Sequence, residues 1–351
     1  MSLLVKDYDY ELNDNLIADQ PPKVRGNSRL LVVDPQNHQL EDRHYPDIVD
    51  YFQTGDLLVL NDTKVLPARL ITKKDNGSER EIILVERHGQ NENWFTHKVI
   101  YRRRLSPGDK LHTKSGFELN VQSVGNEGSA IIESKRDLLE ITDIDGEVPL
   151  PPYMHRHATK ADLERYQTVW ARNIGSVAAP TASLNMTDET LNKLKAKGIN
   201  IAYLTLHVGL GTFLPIRTDD LTNHKMHSEY FEIPLTTIQQ INQAKQNNKQ
   251  VIAVGTTVTR TLEYVKDELI NCTQPLNGEA DIFIYPGYDF KIVDQLITNF
   301  HAPRSTVLML TAAFCGWEFL RQAYEHAGQE KYRFLSYGDS MLIRSRGNHA
   351  I

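Results

Sequence analysis

Gln250-Val251-Ile252-Ala253-Val254-Gly255-Thr256-Thr257-Val258-Thr259-Arg260 decides the fold class. The apolar run predicts a strand over 250–254. A glycine and two threonines follow, and the pattern from Val258 to Leu269 predicts a helix. Such a strand-to-helix junction leaves free N–H groups at the helix start, which attract a carboxylate or phosphate. It would serve equally as a plain capped helix. No lysine follows in P-loop spacing, which argues against nucleoside triphosphate hydrolysis.

The same alternation extends both ways. Gly55–Asp62 and Asn200–Val208 predict strands, and Thr187-Asp188-Glu189 opens a helix with Leu191 and Leu194 that Gly198 stops. Ile238, Ile241 and Ala244 mark a helix, Asp281–Tyr285 and Leu296–Phe300 predict strands, and Ser305-Thr306 caps a helix running to Phe314. Strands and helices alternating at this pitch form an α/β layered body, here expected around a mixed, barrel-like sheet. Between residues 66 and 149 the texture differs. Residues 69–87 predict a hairpin turning at Asn76-Gly77, Trp94–Tyr101 a strand, and Phe117–Val124 with Ala130–Ser134 a second hairpin about Gly125-Asn126-Glu127-Gly128. Short strands without helical periodicity predict a small antiparallel β-barrel. The expected organisation is a discontinuous α/β domain, 1–65 plus 150–351, with the barrel inserted at 66–149 and Pro149-Leu150-Pro151-Pro152 at its exit.

Composition narrows the function. The 351 residues carry 39 lysines and arginines against 45 acids, a net charge of −6, and mean hydropathy is −0.43. That is the profile of an ordinary globular chain of roughly two domains. Apolar stretches such as Leu57–Leu60 and Val307–Leu310 are too short to span a bilayer, and the N-terminal MSLLVKDYDYELND turns acidic too early for a signal peptide, so a cytoplasmic protein is expected. Cys272 and Cys315 lie 43 residues apart without a CxxC, which suits a reducing compartment and gives no zinc pattern. An acidic chain binds a polyanion through a local basic patch. The barrel supplies one, with Arg102-Arg103-Arg104 between His97-Lys98 and Lys110, His112 and Lys114.

Ligands of α/β sheets lie beyond the carboxyl ends of strands. Four segments have that placement: Thr205–Phe213 with His207 and two glycines, Gly255-Thr256-Thr257, Thr298–Thr306 with His301, and Tyr285-Pro286-Gly287-Tyr288. The first is not a dinucleotide fingerprint, since Leu214 takes the third glycine position. In Met226-His227-Ser228-Glu229 a strand would place His227 and Glu229 on one face, able to exchange a proton. His155 and His157 have no third ligand in register, so no metal is expected.

Taken together these segments resemble one family, the S-adenosylmethionine:tRNA ribosyltransferase-isomerases of bacterial queuosine synthesis. The resemblance runs through Ser28-Arg29-Leu30-Leu31, Asp62-Thr63-Lys64-Val65, Pro67-Ala68-Arg69, Pro149–Tyr153, Tyr166–Val169 and Gly175–Ala182. It continues in the His207 loop, Met226–Glu229, Gly255–Thr257, Ile282–Tyr288, Thr298–His301 and Ser336-Tyr337-Gly338-Asp339. It implies an α/β body with an inserted barrel. It also implies a reaction in which the ribosyl group of S-adenosylmethionine passes to 7-aminomethyl-7-deazaguanine at the tRNA wobble position. The product would be epoxyqueuosine-tRNA, with adenine and methionine released and no metal involved. Under this resemblance His227, oriented by Glu229, is the first choice for proton transfer, with His207 and His301 as rivals. Gly255, Thr256 and Thr257 would hold the methionine carboxylate near Arg260, with Pro180 and Thr181 at the pocket edge. Tyr285 and Tyr288 would stack on a base, and Arg69, Arg102, Arg103 and Arg104 would meet phosphates of a tRNA bound by a monomer. The family pattern continues Gly-Leu-His-Phe where this chain has Ser183-Leu184-Asn185-Met186, and Ser-Val where it has Val258-Thr259. The alternatives are a paralogue that gives the ribosyl group to another amine or nucleoside, and a silent RNA-binding protein.

Overall fold

The computed structural model describes residues 2–89, 93–126, 128–213, 215–270 and 272–347; Glu127 of the second hairpin turn and Leu214 fall outside them. The chain opens with hairpin β1 (Arg29–Asp34) and β2 (Gln39–His44), then β3 (Leu57–Asn61) and the short β4 (Thr63–Val65). Six strands follow: β5 (Arg69–Lys74), β6 (Glu79–Leu84), β7 (Thr96–Arg102), β8 (Lys110–His112), β9 (Glu118–Val124) and β10 (Ser129–Ser134). Helix α1 (Leu138–Asp145), α2 (Lys160–Arg165) and β11 (Asn173–Ser176) lead back into the body. There α3 (Asp188–Ala196), β12 (Asn200–Leu206), β13 (Glu229–Ile233), α4 (Leu235–Gln246) and β14 (Val251–Val254) succeed one another. The last elements are α5 (Thr256–Tyr264), α6 (Lys266–Leu269), β15 (Leu276–Ala280), β16 (Gln295–Asn299), α7 (Thr306–Cys315), α8 (Trp317–Gln329) and β17 (Ser340–Ile343).

Among the described residues nine strands make one mixed sheet in the order β15-β13-β12-β3-β14-β16-β17-β1-β2. The four central strands β12, β3, β14 and β16 are parallel, and every residue of β3, β14 and β16 is buried. Helices on both faces require this: Val59, Ala253 and Leu296 pack toward α5 and α7, and Leu58, Ile252 and Ile297 toward α3. The mixed α/β body expected from the sequence is present; its sheet runs between free edges at β15 and β2.

The inserted strands close on themselves in the order β10-β7-β6-β5-β8-β9, all antiparallel. Alternation directs Leu70, Ile82, Leu84, Val99, Leu111, Leu119, Val121 and Ile132 into the barrel, where Leu138 and Ile141 of α1 join them. Gly77 at φ +78° makes the predicted tight turn. The barrel is tied to the body where β4 pairs with β11, where Leu66 N–H donates to Ser176 O (2.8 Å), and where Arg87 N–H donates to Gly175 O (2.9 Å).

One predicted strand is displaced. Residues 281–285 are not paired; the strand lies at Leu276–Ala280 instead. Its partner β13 begins at Glu229, opposite Ala280, so the chain beyond has no ladder to join. The Arg260 guanidinium takes the Ala280 and Ile282 carbonyls there instead.

Candidate active site

Two hollows flank the carboxyl ends of the central strands. The first is a cavity with about 750 Å³ of atom-free space, open solvent included. It is bounded by Ala179–Ala182, by Gly255–Thr257 at the end of β14, and by Thr298, Asn299 and His301 at the end of β16. Thr212, Ser305 and the Tyr153–Ser336 pair complete it. Helix α5 starts here from Gly255 at φ +96°, a conformation suited to glycine, and has no side-chain cap. Its first N–H groups therefore open toward the cavity. Thr257 Oγ1 and Asn299 Oδ1 are buried without a hydrogen-bond partner among the described residues. Each such atom costs about 1–3 kcal/mol unless a ligand or water satisfies it. Across the cavity α7 is capped by Ser305, whose Oγ accepts from Leu308 N–H (3.2 Å).

The second hollow is a cleft between barrel and body, bounded by Arg69, Glu81, Glu86, His88, Lys98 and Arg102 on the barrel side and by Leu210, Gly211 and His227 on the body side. Glu229 lies between the two hollows. Fully buried, it accepts from Gly209 N–H (2.9 Å), Thr212 Oγ1 (3.2 Å) and Arg260 Nη1 (2.5 Å). Burial alone would raise its pKa, but the Arg260 guanidinium outweighs burial, with help from His227 and Gly209 N–H, and holds the carboxyl well below its ordinary range. His227 Nε2 lies 3.3 Å from Glu229 Oε1, buried and off the direction of a hydrogen bond.

The predicted pairing of His227 with Glu229 is present, though a shared strand face is not its cause. β13 begins at Glu229, and His227 is in the preceding loop, held over Gly211, where a Cβ would come within 2.5 Å of Nδ1. The other two histidines separate. His301 lines the cavity and shares a hydrogen with Thr298 Oγ1 (2.7 Å), while burial pushes its pKa down to about 3. His207 lines neither hollow. It is a core residue bonded to Thr63 Oγ1 (2.8 Å) and packed over Gly175, its pKa pushed down to about 3 by burial and by Arg87 and His88.

Gly255, Thr256, Thr257, Pro180 and Thr181 come together around the cavity. Arg260 does not join them. Its guanidinium is committed to Glu229 and two carbonyls, one helical turn beneath the site. Tyr285 and Tyr288 also stand away from both hollows. The Tyr288 hydroxyl accepts from Lys266 Nζ (2.8 Å) and faces Glu263, and Tyr285 packs on Phe283, so the expected base stacking has no geometry to support it. Arg69 and Arg102 line the cleft, with Arg103 and Arg104 exposed beside it. Asn185 lies behind the cavity wall, donating to Gly338 O (2.9 Å) and Ser340 Oγ (3.0 Å), and Met186 is in the core below the sheet. The departures from the family pattern at 185 and 186 are thus structural substitutions. Sequence reasoning missed Glu86 and His88: both lie just beyond β6 with no motif around them, and Gly209, the body-side neighbour of Glu86, reaches it only through the docking of barrel on body.

The family described as queuosine biosynthesis protein matches residues 5–343. A relative from Pelodictyon phaeoclathratiforme is 52% identical over 96% of this chain and 98% of its own, and one from Chlorobaculum parvum is 50% identical over 97% and 99%. The chain belongs to the queuosine biosynthesis family. Both of these family members carry the name S-adenosylmethionine:tRNA ribosyltransferase-isomerase. A solved family structure, titled as the S-adenosylmethionine tRNA ribosyltransferase of Thermotoga maritima, aligns with TM-score 0.55 at 32% identity over 96% of this chain and 99% of that one. The family thus spans both the α/β body and the inserted barrel. Among the described residues no group of three or more His, Cys, Asp or Glu is arranged to hold a metal, and no helix is long and apolar enough to cross a membrane.

Proposed function

We propose that this enzyme transfers the ribosyl group of S-adenosylmethionine to 7-aminomethyl-7-deazaguanine at the wobble position of tRNA and isomerises it, giving epoxyqueuosine-tRNA, adenine and methionine. The observation that carries the reading is the linkage of two hollows through one buried carboxylate: Glu229 holds Thr212 of the cavity and stands beside His227 of the cleft. A reaction between a small donor and a base on a large RNA needs two such compartments meeting at a proton-handling group.

The donor occupies the cavity. Its methionine carboxylate meets the uncapped start of α5 at Gly255, Thr256 and Thr257, while Thr257 Oγ1 and Asn299 Oδ1 gain the partners they lack. The donor's sulfonium acidifies the adjacent 5′ carbon, so a modest base suffices. His227, steadied by Glu229, moves that proton, and His301, kept neutral, offers a hydrogen bond to the adenine side. The inserted barrel, residues 66–149, and the body, 1–65 plus 150–351, act as separate domains that grip the anticodon arm between them. Arg69 and Arg102–Arg104 take its phosphates. The enzyme works as a cytoplasmic monomer without a metal.

Incubation of the protein with S-adenosylmethionine and tRNA bearing the aminomethyl-deazaguanine tests this. Adenine is followed by chromatography and the tRNA nucleoside by mass. Stoichiometric adenine and the mass of epoxyqueuosine are expected. Adenine release that does not depend on tRNA would refute the reading.

A further inference from the structure

We propose that Glu86 binds the protonated aminomethyl group of the acceptor base and takes its proton. The proposal rests on the ribosyl-transfer reading and identifies the residue that recognises the acceptor's distinguishing group.

Glu86 stands at the inner end of the cleft. Its carboxylate packs on Gly209 so closely that a Cβ there would come within 2.3 Å of Oε1, and Gly209 N–H is bonded to Glu229 (2.9 Å). Two carboxylates thus flank one glycine where cleft and cavity approach each other. Their electrostatic settings differ. Glu229 is neutralised by Arg260 at 2.5 Å. Glu86 faces His88 Nε2 at 3.4 Å, and the same imidazole spends its Nδ1 on Glu279 at 3.0 Å. One imidazolium between two carboxylates leaves a surplus negative charge beside His227; Lys98, the further cation of this part of the cleft, is exposed and makes no ion pair with either carboxylate among the described residues. At the outer end the balance is reversed, with Glu81 between Arg69 (3.5 Å) and Arg102 (3.9 Å). The cleft therefore presents cations at its mouth, toward phosphates, and an anion in its depth. His227 Nε2, Arg69 Nε and Glu81 Oε1 are buried without hydrogen-bond partners among the described residues, which marks the cleft as a site for a polar ligand.

An alkylammonium group fits the deep end. Glu86 is 12% exposed, so an ion pair there is screened far less than one on the surface. A bound ammonium is not a nucleophile. One of its N–H bonds must break, an O–H bond forms on a Glu86 carboxylate oxygen, and the nitrogen keeps the electron pair, so that a free amine and a neutral carboxyl result.

The test compares wild type with Glu86→Gln and Glu86→Asp. Glu86→Gln is expected to lower kcat/KM for the acceptor tRNA by about 100-fold or more, the scale of a lost general base. S-adenosylmethionine affinity, read by calorimetry, should stay within about twofold, since Glu86 lies outside the donor cavity. The activity of the Gln variant should rise with pH as the free amine appears in solution, and Asp should restore part of the rate. A purely packing role would move neither the pH profile nor the Asp rescue. A second measurement needs no variant: wild type should bind tRNA bearing the aminomethyl base about tenfold more tightly than tRNA bearing the neutral 7-cyano-7-deazaguanine, the size of one charge-assisted contact. Equal affinities, or Glu86→Gln turnover at the wild-type rate, would overturn the proposal. If wild type itself releases no adenine from S-adenosylmethionine in the presence of acceptor tRNA, the ribosyl-transfer reading fails, whereas the two-tRNA binding comparison still judges Glu86.

Discussion

At the scale of single residues, the site depends on a charge pair that cannot reach water. Arg260 and Glu229 are both nearly or fully buried and 2.5 Å apart. Removing one partner strands the other, at a cost of about 3–5 kcal/mol. Arg260→Leu should therefore lose stability of that order at pH 7 in denaturant titrations. The sign with pH follows from the carboxylate. Its pKa is depressed in the folded protein, so the pair stabilises above the unfolded Glu value and the contribution fades as pH falls. The gap between wild type and variant should accordingly narrow at pH 4; a gap that widens in acid would contradict the assignment. His227 touches this framework at its edge, 3.3 Å from Glu229 and partly exposed to the cleft. Arg260, the main partner of Glu229, is kept in His227→Ala, which should lower adenine release about 10²–10⁴-fold and shift Tm far less than Arg260→Leu. Full turnover by the alanine variant would remove His227 from the chemistry.

At the scale of elements, helix α5 is the decisive one, and its sequence announced it. The strand-glycine-helix pattern of 250–260 reads correctly because local rules govern it: an unbroken apolar run is buried on both faces, and Gly255 has the φ of +96° that opens the helix without a cap. Thr256 is the first helical residue, a position where proline is tolerated because its N–H has no intrahelical partner. Thr256→Pro should thus leave the fold stable to within about 1 kcal/mol. It deletes one N–H facing the cavity, so the Kd for S-adenosylmethionine should rise about tenfold or more by calorimetry, the size of a hydrogen bond to a charged group. Unchanged affinity would place the donor carboxylate elsewhere. Residues 281–285 show the opposite case. Their composition suits a strand, but pairing needs a neighbour, and β13 begins only at Glu229, opposite Ala280.

At the scale of the whole molecule, the proposed seat of the tRNA is the cleft between barrel and body. Arg102 lines that cleft with its side chain 73% exposed, and Arg103 and Arg104 are exposed next to it in the chain. Reversing Arg103 and Arg104 to Glu should raise KM for tRNA and flatten the dependence of log Kd on log salt by about one unit or more, leaving S-adenosylmethionine affinity unaltered. A parallel loss of both affinities would point to misfolding instead.

By itself the sequence determined the α/β body, the inserted barrel, the Gly255–Thr257 junction and the nearness of His227 to Glu229. These follow from periodicity, glycine geometry and short spacings that a chain of any tertiary arrangement must respect. Only the tertiary structure decided which histidine faces which hollow, that His207 is core, that Arg260 serves Glu229, and that Glu86 reaches Gly209 from the barrel. Those outcomes depend on contacts between residues far apart in the chain, whose energy is set by burial and by which charges become neighbours, and no local pattern encodes either.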